Sequence, residues 1–235
     1  MRLAGVDGCP SGWVAVVAHV QALDQASVHF VETGTLPTFL AQFSIDFAAV
    51  DVPIGFSSGP MSRDVEAAMR AFLVGKGSSV FNTPSRPALG ASSQAEASAI
   101  NRATLTEVKR AGVSAQTYGI FPKMREMDGV VRQVGQGVIR EGHPEVTFAE
   151  MNGKPVLTSK KAAAGIAERI ALLIARGFDA DRLAQTKRKL QAKPDDIIDA
   201  VAMLWTASRF VESKHETYPP VPSRDAVGLE MSVIA

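Results

Sequence analysis

The chain has 235 residues, and its hydrophobic and charged fractions, 46% and 21%, are those of an ordinary globular protein. Its 25 basic and 24 acidic residues give a formal net charge of +1 at pH 7, which argues against a strongly basic nucleic-acid coat protein but allows a local basic patch. The single cysteine, Cys9, excludes an intramolecular disulfide and a cysteine-based zinc site, and we expect it to be a small buried residue rather than a nucleophile.

The N-terminal segment also bears on location. Met1-Arg2 leads directly into an apolar strand, without the long apolar region of a signal peptide, and no apolar run is long enough to span a bilayer. We therefore expect a cytoplasmic protein that has no membrane partner.

Residues 3–17 predict a buried strand, a tight turn and a second strand. Small and branched apolar residues make up the first strand, which ends at Asp7. Gly8, Pro10 and Gly12 supply turn chemistry before the apolar pattern resumes at Trp13. Asp7 could cap this turn through its side chain, or it could belong to a site at the strand end.

A second acid follows a second buried strand. Residues 27–32 alternate as a strand, and residues 36–43 have the apolar spacing of a short helix. The next strand begins at Phe47 and ends in Asp51, followed by a Pro/Gly turn. If this strand lies parallel and adjacent to the first one, both acids meet at the carboxyl edge of the sheet, where open α/β sheets bind ligands.

A long insertion is predicted over about residues 57–135. Its first part, residues 57–93, is rich in serine, glycine and proline. Helices are predicted within the insertion at residues 63–74 and 95–111 and from residue 121 onward. Three arginines of the first part are candidate phosphate ligands: Arg63, Arg70 and Arg86. The segment is either a phosphate-facing cap or a solvated surface excursion.

Two further acids and a histidine follow a third strand, predicted over residues 138–141. Glu141, His143 and Glu145 lie where this strand would end. A lone histidine beside a proline favours a structural turn residue, whereas its acidic neighbours favour a site.

The last third of the chain is mainly helical, with helices predicted over residues 159–177, 179–190 and 195–211. Pro194, Asp195 and Asp196 suit the first turn of the last helix. Asp199 lies too far into the helix for that explanation, and the residues after it are apolar. Asp196 and Asp199 share one face, and a like-charged pair there favours a bound cation. Residues 214–235 are predicted to form an extended or partly disordered tail.

Together these acids form a constellation from three distant elements. Clustered carboxylates without cysteine favour hard cations, so we expect Mg²⁺ or Mn²⁺ held by Asp7, Asp51, Asp196 and Asp199. Two such metals can activate water and stabilise the leaving oxygen of a phosphodiester.

The arrangement resembles the ribonuclease H-like fold, and residues 196–202 are similar to the terminal helix of Holliday-junction resolvases. More closely, the chain resembles DUF429, an uncharacterised family of predicted ribonuclease H-like nucleases. The segments that carry this resemblance are Gly5-Val-Asp-Gly-Cys-Pro-Ser-Gly-Trp-Val-Ala15, Val50-Asp-Val-Pro-Ile-Gly55, Ser79-Val-Phe-Asn-Thr-Pro84, Glu141-Gly-His-Pro-Glu-Val146 and Asp195-Asp-Ile-Ile-Asp-Ala-Val201. It implies an α/β domain over residues 1–213 with a mixed five-stranded sheet in the order 3-2-1-4-5, flanked by helices.

Three functions are compatible with these features. The leading hypothesis is a metal-dependent nuclease in which Asp7, Asp51 and Asp199 bind metal, with Asp196 or Glu145 as a further ligand. His143 would shuttle a proton. The first alternative is a nucleotide-binding phosphotransferase, since kinases and actin-like ATPases share the fold, although they need two such domains. The second alternative is a binding protein without turnover.

Overall fold

A computed structural model describes all 235 residues of the chain. Its strands are β1 (Arg2–Cys9), β2 (Gly12–His19), β3 (Ala22–Glu32), β4 (Phe47–Val50), β5 (Ile139–Glu141), β6 (Thr217–Arg224) and β7 (Glu230–Ile234). Its α-helices are α1 (Leu36–Gln42), α2 (Val65–Phe72), α3 (Gln94–Thr104), α4 (Ala115–Gly119), α5 (Phe121–Val134), α6 (Pro144–Asn152), α7 (Ala163–Ile174), α8 (Ala180–Ala184) and α9 (Pro194–Val211). None of these helices combines the length and the apolar character needed to cross a membrane.

The central sheet has five strands in the order β3-β2-β1-β4-β5. The first three strands form an antiparallel meander, and β1, β4 and β5 run parallel to one another. Both the order and the mixed direction of the strands confirm the α/β fold predicted from the sequence. The three strands that precede the predicted acids therefore end at one edge of the sheet.

Side chains alternate between two apolar layers along β1. Leu3 and Cys9 belong to a core cluster shared with α9, while Ala4 and Val6 belong to a second cluster shared with α1 and α5. The α9 layer comes closest to the sheet at Gly5, where an added Cβ would lie 2.0 Å from the carbonyl oxygen of Ala200. Only glycine permits this approach, so Gly5 sets the position of α9 over β1.

The insertion lies between β4 and β5 and carries α2 to α5. The helices α2 and α3 are shorter than predicted, whereas α5 begins at residue 121 as predicted. No helix was predicted at α6, because its apolar residues are buried all round. The helix predicted from Ser159 begins later, with Ala162 at the N-cap, because residues 158–162 form a turn. That turn becomes important at the candidate site.

Within residues 214–235, for which the sequence predicts an extended or partly disordered tail, the structure has two paired strands and not a free tail. β6 and β7 pair as an antiparallel hairpin, and Val233 and Ile234 of β7 are buried. A bridge between Gly142 and Ile234 joins the hairpin to the end of β5. The prolines of β6 were misleading, because an edge strand accommodates residues that cannot donate a ladder hydrogen bond. The pairing register shifts between Tyr218 and Ser223, where these prolines lie.

Candidate functional site

Asp7 and Asp51 lie side by side at the carboxyl edge of the sheet. The parallel pairing of β1 with β4 places Val6 opposite Val50, and each acid follows its member of that pair. The backbone N–H of Asp51 donates to the carbonyl oxygen of Val6 at 2.9 Å, which extends the pairing to the acids. Residues that follow a paired position in parallel strands point to the same face, so the two side chains share one side of the sheet.

That side is the one covered by α9, which adds Asp199. Asp7 lies two residues beyond Gly5 and therefore points to the α9 face. Asp199 lies near the start of α9 and is 2% exposed, so its carboxylate is buried over the ends of β1 and β4. Three carboxylates from three distant segments thus converge as the sequence predicted.

Mutual repulsion and burial act on all three carboxyl groups. Burial, followed by the charges of Asp51 and Asp199, raises the pKa of Asp7 well above its usual range. Burial and the charge of Asp199 raise the pKa of Asp51 to about 7. Burial also raises the pKa of Asp199, although Lys160 opposes this shift. The cluster therefore requires protons or a cation to balance its charge at neutral pH.

Lys160 supplies a positive charge to this cluster. Its Nζ atom donates to Oδ2 of Asp199 at 2.5 Å, and its side chain is 37% exposed whereas that of Asp199 is 3% exposed. Although burial alone would lower the pKa of Lys160, the attraction of Asp199, Asp51 and Asp7 raises it. In this arrangement no group of three Asp, Glu, His or Cys side chains is placed so that it could hold a metal ion. Lys160 was not predicted as a site residue.

The turn that carries Lys160 is held in place from two sides. The Nζ atom of Lys76 donates to the carbonyl oxygen of Thr158 at 2.9 Å, and Nη1 of Arg169 donates to the same oxygen at 3.3 Å. Arg169 is buried, and its Nη2 donates to both carboxylate oxygens of Glu145 at 2.9 and 2.8 Å. The structure therefore places Glu145 in an ion pair that supports the turn.

His143 occupies the N-cap position of α6. Its Nδ1 atom accepts a hydrogen bond from the backbone N–H of Val146 at 3.4 Å. Burial and the nearby charge of Lys160 lower the pKa of His143 to about 4, so its ring is neutral at pH 7. His143 and Asp51 nevertheless line the same cleft, which keeps the histidine beside the acids.

Glu141 ends β5 and forms a buried ion pair. Its oxygens accept from Nη1 and Nη2 of Arg63, both at 2.9 Å, and from the backbone N–H of Ile54 at 2.7 Å. Arg63 also donates to Glu66, so its guanidinium is shared between two carboxylates. Burial raises the pKa of Glu141 in spite of the charge of Arg63. Arg63 was predicted as a phosphate ligand, but here it holds the insertion to β5.

The other two candidate arginines are also occupied away from the acid cluster. Arg70 donates to the carbonyl oxygen of Val80 at 2.8 Å and to Oδ1 of Asn82 at 2.6 Å. Arg86 forms ion pairs with Asp128 and with Asp225 of the C-terminal hairpin. Sequence reasoning grouped the three arginines by their place in one loop, whereas Arg63 and Arg86 bind carboxylates of distant segments and Arg70 binds within the loop.

Asp196 has a local partner at the start of α9. Its Oδ2 accepts from the backbone N–H of Lys193 at 2.7 Å, which is the capping-box contact that satisfies an N-terminal donor. Asp196 still lines the cleft that contains Asp7 and Asp51. Asp195 faces a further surface cleft with Lys160 and Lys161, and its charge adds to the raised pKa of Asp199. Cys9 is buried, as expected.

Two clefts meet over the acids. The first, called the aromatic cleft, has a volume of about 380 Å³ and is lined by Asp7, Cys9, Pro10, Phe81, Ile120, Pro122, Lys123, Lys193 and Asp196, among others. The second, called the lysine cleft, has a volume of about 650 Å³ and is lined by Lys76, Ser78, Ser79, His143, Ser159, Lys160 and Lys161, among others. Asp51 and Phe81 line both clefts. A chain of nearly zero net charge therefore concentrates lysines around its buried carboxylates.

Comparison with known proteins agrees with the resemblance seen in the sequence. A family model described as "Protein of unknown function (DUF429)" matches residues 5–224. No curated protein and no solved structure matches the chain. The matched region includes the central sheet except for the first three residues of β1, together with the three converging acids and Lys160. The chain therefore belongs to the DUF429 family.

Proposed function

We propose that this protein is a metal-dependent phosphodiesterase that hydrolyses nucleic acid with Mg²⁺ or Mn²⁺. The observation that carries the proposal is the convergence of Asp7, Asp51 and Asp199 beneath two clefts with lysines on their walls. Carboxylates suit a hard divalent cation, and lysines suit the phosphates of a polyanionic substrate.

The chemistry of the cluster fits a divalent cation. Every converging group is a carboxylate oxygen, and a cation, the ammonium of Lys160, is already held against Asp199. The carboxyl pKa values are raised chiefly because the groups are buried, and for Asp7 and Asp51 also because the neighbouring carboxylates repel them. A metal would be held by Asp7, Asp51 and Asp199, after Lys160 leaves Asp199. When bound, it would supply an activated water and stabilise the leaving oxygen.

The remaining predicted ligands receive smaller roles in this proposal. Asp196 lies in the aromatic cleft and has one carboxylate oxygen in the helix cap, so its other oxygen can face a second cation. Glu145 supports the Lys160 turn through Arg169 and is not proposed as a ligand. His143, which is neutral at pH 7, is proposed as a hydrogen-bonding wall of the lysine cleft and not as a proton shuttle.

A phosphotransferase of the kinase and actin-like type has less support. Such proteins bind nucleotide between two domains of this fold, and the structure contains a single sheet with the order β3-β2-β1-β4-β5. The second sheet is the β6–β7 hairpin, which packs at the end of β5.

The test is Mn²⁺-dependent cleavage of labelled single-stranded and duplex oligonucleotides by the wild type and by Asp7→Asn and Asp51→Asn. Each variant keeps the side-chain shape and should lose at least about 100-fold in rate, since it removes a charged ligand. Asp24→Asn, at an exposed aspartate of β3 with no side-chain hydrogen bond, is the control and should cleave like the wild type. Equal cleavage by all four proteins, or cleavage that persists in EDTA, would overturn the proposal.

A further inference from the structure

The two clefts differ in chemistry although they share a wall. Of the residues that line the lysine cleft, Phe81 and Leu157 are the hydrophobic members, and lysines and serines make up much of the rest. The aromatic cleft is lined by apolar rings and side chains, by Lys123 and Lys193, and by three aspartates, Asp7, Asp51 and Asp196. Asp51 lies where the clefts meet, so a molecule bound over Asp51 can extend into the aromatic cleft on one side and into the lysine cleft on the other.

Phe81 is the side chain that separates the clefts. It lines both of them together with Asp51, and it is half-buried against the apolar layer that contains α5. Pro10 and Pro122, which are exposed, line the same cleft. A partly exposed aromatic ring in a cleft with proline rings offers a surface on which a flat apolar group can stack.

Lys123 is fixed as part of the floor of the aromatic cleft. Its Nζ atom donates to the carbonyl oxygen of Gly12 at 2.7 Å and lies 4.4 Å from the ring centre of Trp13. Trp13 is itself held by a hydrogen bond from Nε1 to Oε1 of Glu126 at 2.9 Å. The floor is therefore pre-formed around one lysine, and the volume of the cleft is in the range that holds a small organic group.

We propose that the aromatic cleft is a nucleobase subsite in which Phe81 stacks on an unpaired base, so that the substrate is a single strand. This inference rests on the proposed function, because it takes the phosphodiester beside that base to lie over Asp51. The adjoining phosphates then follow the lysines and serines of the lysine cleft. A base inside the aromatic cleft must leave its stack and its pairing partner, which disfavours an intact duplex.

The test measures binding without turnover, by fluorescence polarisation in EDTA. The probes are a labelled 12-nucleotide thymidine strand, the same strand with abasic sites in place of the bases, and a blunt 12-base-pair duplex. We expect the wild type to bind the thymidine strand at least tenfold more tightly than the other two probes.

Variants of Phe81 separate stacking from apolar packing. Phe81→Leu keeps the apolar contact with the core but has no ring, and it should weaken binding of the thymidine strand about tenfold without changing the abasic strand. Phe81→Tyr keeps the ring and should bind like the wild type. Phe43→Leu is the control, since Phe43 is also half-buried but packs against His29 outside both clefts. Thermal melts show that each variant is folded.

Each outcome decides one proposal. Equal Kd values of wild type and Phe81→Leu for the thymidine strand, or tighter binding of the duplex, overturn the subsite. Phe81-dependent binding of the strand by a protein that shows no Mn²⁺-dependent cleavage upholds the subsite and overturns the nuclease. Mn²⁺-dependent cleavage of duplex that is unaffected by Phe81→Leu upholds the nuclease and overturns the subsite.

Discussion

Asp51→Asn should stabilise the metal-free protein at pH 8 while it removes metal binding. Asp51 is half-buried and its side chain makes no hydrogen bond in the structure; burial, followed by the charge of Asp199, raises its pKa to about 7. Asparagine has the same shape and no charge, so the substitution breaks no contact and relieves the repulsion. A variant that is more stable but does not bind metal would show that Asp51 serves function at a cost in stability.

The magnitude follows from linkage between pKa and folding. A carboxyl with a pKa near 4 in the unfolded chain and about 7 in the folded protein binds its proton more tightly when folded. The free energy of unfolding therefore falls as the pH rises from about 4 to about 7. The total fall is about 1.4 kcal/mol for each unit by which the pKa in the folded protein exceeds that in the unfolded chain. Three units correspond to about 4 kcal/mol, which we reduce to about 2–3 kcal/mol because partial exposure screens the charge.

The assay is urea unfolding of the wild type and Asp51→Asn at pH 5 and pH 8 in EDTA, repeated with Mn²⁺. At pH 8 the variant should be more stable by about 2–3 kcal/mol, and this advantage should shrink toward pH 5 as Asp51 of the wild type is protonated. Mn²⁺ should stabilise the wild type more than the variant. Asp24→Asn should show neither effect.

Two results would refute this reasoning. If Asp51→Asn is no more stable than the wild type at pH 8 in EDTA, Asp51 is not held ionised against repulsion. If Mn²⁺ raises the stability of both proteins equally, Asp51 does not bind the metal.

Three further predictions concern the surroundings of the acids. Lys160→Met removes the ammonium that balances Asp199 and should lower the free energy of unfolding in EDTA by about 2 kcal/mol, a value between those of exposed and buried ion pairs. The variant should also bind Mn²⁺ more tightly, and an unchanged Kd for Mn²⁺ by calorimetry would show that the lysine and the metal do not compete. Gly5→Ala places a methyl group 2.0 Å from the carbonyl oxygen of Ala200, so α9 must shift, and a melting temperature within a few degrees of wild type would contradict that close approach. Arg63→Met leaves two buried carboxylates without their partner and should lower the free energy of unfolding by about 3–5 kcal/mol at pH 8 but by less at pH 5, as measured by urea unfolding. An equal loss of stability at both pH values would show that unpaired carboxylate charges are not the cause.

The acid cluster also changes the expectation for Asp199. From the sequence alone, Asp199→Asn should leave the metal-free protein equally or more stable, since it removes repulsion. In the structure Asp199 pairs with Lys160, so the same substitution also removes an attraction. Asp51 has no such partner, which makes Asp51→Asn the cleaner test of repulsion.

Local patterns in the sequence are enough to predict the sheet and two of its acids. Apolar runs that end in Asp7 and Asp51 predict buried parallel strands, and parallel strands bring the residues after them to one edge. Pro194 and the apolar stretch after Asp199 likewise predict where α9 begins and that it is buried. These features follow from periodicity and turn chemistry, which act over a few neighbouring residues.

The pairing of the charged side chains, in contrast, depends on how distant segments pack in the folded protein. Lys160 lies in a short turn beside Lys161, and nothing in that local pattern distinguishes the lysine that contacts Asp199 from its exposed neighbour. Arg63 and Arg86 were indistinguishable in the same way, yet one is buried between two glutamates and the other joins the C-terminal hairpin. An ion pair depends on which distant segments pack together, and the sequence around either partner does not show which segment the other one belongs to.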